Sequence, residues 1–324
     1  MRFAVLGAGA IGAYAGAALA RGGSEVVLIA RGAHLDAMRK DGVRVLSSRG
    51  DFAARPEATD DLAAVSGADC VLVGLKAYSL PGILPQVAPL LSPGTVLLPA
   101  QNGVPWWFFQ RFDGPLAGSV VEAVDPGGVI SAAIAPERIV GCVSYPAAEI
   151  VAPGVIRHFE GTRFAIGELD GDVTERIGAI SEAFQAGGLK APVESRIRGQ
   201  LWLKLVGNVA FNPVTALTGA TLGEVGELPE MVAIVRTVME EVAAVGAALG
   251  IELPVSIERR LEAGFAVGDH RTSMLQDFDA GKPLELDCMT GAVLEIAAKL
   301  GVAVPHTETV HAATKLRERL RRTG

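Results

Sequence analysis

The stretch Gly7-Ala8-Gly9-Ala10-Ile11-Gly12 constrains the fold most. It lies between an apolar run of strand length (2–6, RFAVL) and an Ala-rich helical segment (11–21, IGAYAGAALAR). G-x-G-x-x-G at a strand-to-helix junction is the fingerprint of a dinucleotide-binding unit. Gly7 would make the tight turn, Gly9 would let backbone approach a pyrophosphate, and Gly12 would let the helix pack closely on its strand. The orphan N–H groups and positive end of the helix would then face phosphate. The alternative is a glycine-rich turn without a ligand. Phe3 to Ala20 is also 18 residues without a charge, which by length could pass for a signal peptide or a membrane span. The glycines that interrupt it favour the fingerprint, and the chain reads as soluble and cytoplasmic.

Further apolar runs of strand length follow at 25–30, 70–75 and 95–98, with another expected at Gly118–Val121. Helical patterns separate them, notably Ser79–Leu91. Strands alternating with helices imply a parallel sheet covered on both faces, a doubly wound α/β (Rossmann-type) domain. Residues 153–167 read as two antiparallel strands at the sheet edge, followed by a helix at 173–186 and a short strand at 190–194. Beyond Ser195 strands vanish, and 196–217, 229–249, 254–267, 285–300 and 306–321 read as helices. The expected division is therefore a Rossmann-type domain over 1–194 and an all-helical domain over 195–324. The apolar helices 229–249 and 285–300 could bury against each other or against a second subunit, which would give a homodimer.

Composition narrows the function classes. The 324 residues carry a formal charge of −7 without a long basic run, which argues against nucleic acid as the main partner. Cys70, Cys142 and Cys288 are far apart and odd in number, as in a reduced cytosolic protein, and show no metal-ligand spacing.

The second strand selects the cofactor. An acid at its C-terminal tip would bond the ribose 2′-hydroxyl of NAD. Here the strand ends at Arg31, with Glu25 at the opposite end and Asp36 in the following helix. An Arg there suits a 2′-phosphate, and Lys76 could add a second positive charge, so NADP is expected. Either base could equally be an ordinary solvated side chain.

In the helical half, Lys204, Asn208 and Asn212 recur every four residues and share one face of an otherwise apolar helix. They are a binding set, a solvated stripe or a buried structural network. Asn212-Pro213 could bend that helix. Glu285 opens a later apolar helix, where spacing alone suggests a favourable dipole partner. Pro105 is followed by Trp106-Trp107-Phe108-Phe109, read either as a hydrophobic plug or subunit contact, or as a pocket wall.

Taken together, GAGAIG, GLKAY, Gln101-Asn102-Gly103, IRGQLWLKLVGNVAFNPVTAL, SMLQD, the Glu twelve residues after Ser273 and GVAVP resemble the ketopantoate reductase (2-dehydropantoate 2-reductase) family along nearly the whole chain. The resemblance implies an NADPH-dependent reductase of a 2-keto acid, acting in pantothenate biosynthesis. Lys204 would be the general acid and Glu285 would pair with it and contact substrate or cofactor. Asn208, Asn212 and Ser273 would hold the keto acid, Asn102 would sit by the nicotinamide, and the segment near Val124 would line the cofactor's path. Where the family often has a further Asn, this chain reads Thr218-Gly219-Ala220-Thr221-Leu222-Gly223. Two alternatives remain: a reductase of a different, bulkier 2-keto acid, and a non-catalytic NADP-binding sensor.

Overall fold

A computed structural model describes residues 1–323. They form two compact units, one comprising Met1–Gln101 and Val129–Ile197, the other Asn102–Gly128 and the chain from Arg198 onward. The sequence suggests one crossing near 195; the chain instead crosses three times, because residues 102–128 pack within the helical unit.

The first unit contains every strand among the described residues: β1 (Arg2–Leu6), β2 (Glu25–Ile29), β3 (Val43–Ser47), β4 (Phe52–Ala54), β5 (Glu57–Thr59), β6 (Cys70–Val73), β7 (Val96–Pro99), β8 (Val140–Ser144), β9 (Ala147–Ala152), β10 (Val155–Glu160) and β11 (Phe164–Glu168). The main sheet is parallel, in the order β5-β2-β1-β6-β7. Strands β1 (beyond Arg2), β6 and β7 read as apolar runs because both of their faces are buried. Strand order reverses at β1, with β2 on one side and β6 on the other. The crevice beyond the C-terminal ends of β1 and β6 is thus the switch point where open α/β sheets take ligands.

Helices α1 (Ala10–Arg21), α2 (Gly32–Asp41), α3 (Leu80–Val87), α4 (Val129–Ala133) and α5 (Glu175–Ala186) complete this unit. Its core includes Phe3, Leu28, Leu72, Phe164 and Phe184, with the Phe184 ring centroid 6.2 Å from Phe3 and 5.3 Å from Phe164.

Three expectations need correction. Gly118–Val121 forms no strand: Gly118 has φ +71, which no pleat accommodates, and its N–H closes back on the Phe109 carbonyl at 2.8 Å. β10 and β11 exist but do not pair with each other. β10 joins β3 and β9, while β11 joins β8. Lys190–Glu194 makes only isolated bridges to Arg163 and Ile166, because Pro192 has no N–H to continue a ladder.

The helical unit is built from α6 (Ile197–Thr218), α7 (Leu222–Glu227), α8 (Pro229–Ala248), α9 (Ile257–Phe265), α10 (Ser273–Asp279), a π-helical turn (Asp287–Gly291), α11 (Ala292–Leu300) and α12 (Pro305–Thr323). Trp106, Trp107, Phe108 and Phe109 are, with Trp202, its largest fully buried side chains, and the Phe108 and Trp202 ring centroids lie 5.4 Å apart. The indole N–H groups of Trp106 and Trp107 find no partner among the described residues. That costs ~1–3 kcal/mol each, less than the ~3–5 kcal/mol at stake when a buried aromatic ring is removed. The segment is a hydrophobic plug, anchored by the Arg198 guanidinium on the Phe108 and Gln110 carbonyls at 2.8 and 2.6 Å.

Gly12 is where strand and helix come closest. A Cβ there would overlap the Gly7 carbonyl oxygen and stand 3.0 Å from Val5 Cγ1. Backbone cannot swing aside as a side chain can, so Gly12→Ala should lower unfolding stability by about 1–3 kcal/mol. Chemical denaturation would check this, with Gly9→Ala, a position facing open space, as the mild comparison.

Candidate active site

In the first unit, the Gly7 and Ala8 N–H groups both donate to the Ile29 carbonyl, at 3.1 and 2.9 Å, which pins the turn after β1 to the end of β2. Gly7 has φ +95, and a Cβ there would press on Leu75 at 2.7 Å. Gly9, the N-cap of α1, differs: a Cβ on it would meet nothing within 4 Å. Two of the three fingerprint glycines are thus consumed by packing, and the middle one leaves room in front of the helix. The first-turn N–H groups of Ala10, Ile11 and Gly12 have no acceptor within the helix, and no acid stands in that turn. This cradle fits a pyrophosphate.

Arg31 is exposed at the tip of β2 and N-caps α2, whose first turn carries no acid. Glu25 is at the opposite end of β2, 3.0 Å from the Arg2 guanidinium, and Asp36 is exposed within α2. The tip therefore offers a cation and no carboxylate, which suits a 2′-phosphate. Lys76 is half-buried just beyond β6, where the Gln101 amide donates to the Val73 and Leu75 carbonyls at 2.7 and 3.2 Å. On α2, His34 Nδ1 accepts from Gly154 N–H at 3.0 Å, and burial holds its pKa below the ordinary histidine value.

The second unit holds the polar set. Lys204, Asn208 and Asn212 share one face of α6, Lys204 and Asn208 half-buried and Asn212 buried. Lys204 Nζ donates to Asn102 Oδ1 at 2.8 Å, so two residues about a hundred positions apart meet directly. Asn212 Nδ2 faces Met289 Sδ at 3.7 Å. The α6 helix runs on through Pro213 to Thr218.

The Asn102 loop is pressed onto the π-helical turn. Gly103 has φ +84, a Cβ there would collide with the Cys288 carbonyl, and Val104 N–H donates to that carbonyl at 2.8 Å. Cys288 Sγ lies 3.3 Å from the Glu285 carbonyl and 3.6 Å from the Asn102 carbonyl. Cys288 thereby ties the Asn102 loop to Glu285, whose side chain is buried just before the turn. The turn is held from behind by Thr290, bonded to the Leu286 carbonyl and to His311 Nδ1 at 2.7 Å. Burial, aided by the Lys315 charge, keeps the His311 pKa below its usual value.

Ser273 is exposed at the start of α10. Val124 is buried in a turn whose Glu122 and Ala123 N–H groups both donate to the Glu295 carboxylate at 2.9 Å. Thr221 caps α7 in a reciprocal pair with Glu224, so the segment replacing the further Asn is a helix start.

Sequence reasoning missed the Cys288 staple and the Thr215–Thr272 pair, and it missed Arg260, whose guanidinium covers Gly207 so closely that a Cβ there would overlap it. A glycine amid the large residues of α6 was the one available signal. Among the described residues no cluster of three metal-ligating side chains exists, and no helix is long and apolar enough to cross a membrane.

Glu295 offers a pH test. Burial opposes its charge, but the Lys299 ammonium and the two backbone N–H groups outweigh burial and hold its pKa below the usual value. A carboxylate lowered on folding contributes stability above its unfolded pKa of ~4.3 and loses it as pH falls through the lower folded value. Wild type should exceed Glu295→Gln by about 1–3 kcal/mol near neutrality, and the gap should close in acid. Denaturation curves across pH would show it.

Two family models match the chain: Ketopantoate reductase PanE/ApbA over residues 3–106, and Ketopantoate reductase PanE/ApbA C terminal over 196–318. A Mesorhizobium japonicum protein named 2-dehydropantoate 2-reductase is 42% identical over 316 residues, 97% of each chain. The solved structure of a Ralstonia solanacearum protein superposes with a TM-score of 0.93 at 38% identity, covering 99% of this chain and 98% of that one. That of a PanE/ApbA family ketopantoate reductase from Ralstonia eutropha does so with a TM-score of 0.86 at 29% identity, covering 99% and 100%.

Proposed function

Because the chain belongs to the ketopantoate reductase family, and so is an oxidoreductase acting on a CH–OH group, we propose that it reduces 2-dehydropantoate to pantoate with NADPH, Lys204 serving as general acid. The observation that carries this reading is the Lys204–Asn102 bond, formed on the helix face that also bears Asn208 and Asn212.

NADPH, when bound, supplies the hydride that reaches the carbonyl carbon. The carbonyl oxygen then gains negative charge, and an ammonium that can also release a proton stabilises that charge directly. Asn102 accepts one Lys204 N–H and so fixes the direction of the others. Glu285, buried and tied through Cys288 to the Asn102 loop, pairs with the lysine and contacts substrate or cofactor. Asn208, Asn212 and Ser273 hold the keto acid's carboxylate and hydroxyl. The Gly7–Gly12 turn holds the pyrophosphate, and Arg31 with Lys76 holds the 2′-phosphate. Asn102, Val124 and Glu285 complete the cofactor set. Buried thiols at 70, 142 and 288, joined in no disulfide, fit a cytoplasmic enzyme.

A second reading, reduction of a bulkier 2-keto acid, is favoured by one observation. Thr221, in the segment that replaces the further Asn, spends its hydroxyl on capping α7. Losing one substrate hydrogen bond alters discrimination more than a small change of pocket shape. A sensor without turnover would have no use for Lys204, Asn208, Asn212, Ser273 and Glu285 together.

The test follows NADPH absorbance with 2-dehydropantoate beside a panel of other 2-keto acids. Lys204→Ala should lower kcat by about a hundredfold or more; unchanged turnover would overturn the mechanism, and a preferred bulkier acid would select the second reading. Arg31→Gln should narrow the preference for NADPH over NADH by about ten- to a hundredfold in kcat/KM, as loss of a charged hydrogen bond of ~1.5–3 kcal/mol implies. An unchanged ratio would remove Arg31 from the 2′-phosphate site.

A further inference from the structure

We propose that Thr215 acts as a positioning residue for Ser273, through a polar strut that joins α6 to the N-terminus of α10. The inference rests on the reading that Ser273 and Asn212 hold the keto acid.

Thr215 and Thr272 are both buried, at 0% and 5% exposure. Their hydroxyls are 2.6 Å apart, Thr215 Oγ1 lies 3.0 Å from the Asn212 carbonyl, and the Leu275 N–H donates to Thr272 Oγ1 at 3.3 Å. These distances allow one proton order. A carbonyl only accepts, so the Thr215 proton goes to Asn212. Thr272 must therefore give its own proton to Thr215, and its lone pairs receive Leu275 N–H. Each hydroxyl donates once and accepts once, and none is left over.

The strut begins on the backbone of Asn212 and ends on the residue bonded covalently to Ser273. It spans the two side chains assigned to the same small anion. It also meets α6 where the helix is weakest, since Pro213 contributes no N–H. Thr314 Oγ1 packs beside the same place, 3.3 Å from the Pro213 carbonyl, with the Val310 carbonyl nearer at 2.8 Å. Ser273 is exposed and stands in the first turn of a seven-residue helix. Its register against Asn212 is set from below, by Thr215.

Thr215→Val keeps shape and removes both hydrogen bonds of the strut. Its KM for 2-dehydropantoate should rise about tenfold, as loss of a placed hydrogen bond implies, with kcat within about threefold and NADPH affinity unchanged. Thr215→Ser should restore KM. The deciding measurement is a double-variant cycle with Ser273→Ala. If Thr215 works through Ser273, the double variant has the KM of Ser273→Ala alone. Multiplying effects, or a Thr215→Val KM equal to wild type while that of Ser273→Ala rises, would overturn the inference. An unchanged KM in Ser273→Ala would instead overturn the substrate role of Ser273. Thr272→Val breaks the same bond from the other end and carries the cycle if Thr215→Val does not fold.

Discussion

A charged ammonium on an apolar helix must have a partner, and much of the helical unit is arranged around that demand. Lys204 sits among Leu201, Trp202, Leu205 and Val206, all buried. Leaving such a charge half-desolvated and unpaired would cost more than any single apolar contact returns. The partner comes from Asn102, at the start of a segment remote in sequence. That segment is fastened by the Cys288 carbonyl, by Arg198 on the plug carbonyls and by Glu295 on the turn at 122–123. The polar face of α6 is therefore neither a solvated stripe nor a self-contained buried network. It is partly buried, with Lys204 on the Asn102 side-chain amide and Asn212 against the Met289 sulfur.

The parts legible in sequence were those encoded locally. Gly7, Gly9 and Gly12 predict a turn, and the structure gives each a different local reason. The i, i+4, i+8 spacing of Lys204, Asn208 and Asn212 predicts a shared face because helix geometry leaves little choice. The apolar runs of β1, β6 and β7 predict buried parallel strands for a similar reason.

What was illegible depends on pairing at a distance. Nothing near β10 or β11 says that the two avoid each other, since each pairing is decided by strands elsewhere in the chain. Gly118–Val121 has a strand-like composition, yet the positive φ of Gly118 turns the chain at its start. The widening of the helix at Asp287–Gly291 has no signature in DCMTG itself, and with it the link from Glu285 to Asn102 was hidden. The aromatic run at 106–109 was read both ways; only the packing of Trp202 and the position of Arg198 distinguish a plug from a pocket wall.

The interleaving of the two units has a consequence for synthesis. Residues 102–128 leave the ribosome early, but the carbonyl that receives Val104 N–H belongs to Cys288, and Cys288 Sγ meets the Asn102 carbonyl across 186 positions. Four large aromatic side chains must therefore wait in the nascent chain until α6 and the helices after it have been made. A chain stalled or truncated before α6 would hold its first strands and a naked aromatic stretch together. Such a species is prone to stick to its neighbours or to be captured by a chaperone. The element that gives the finished helical unit its largest buried side chains is thus the chief hazard of the unfinished one.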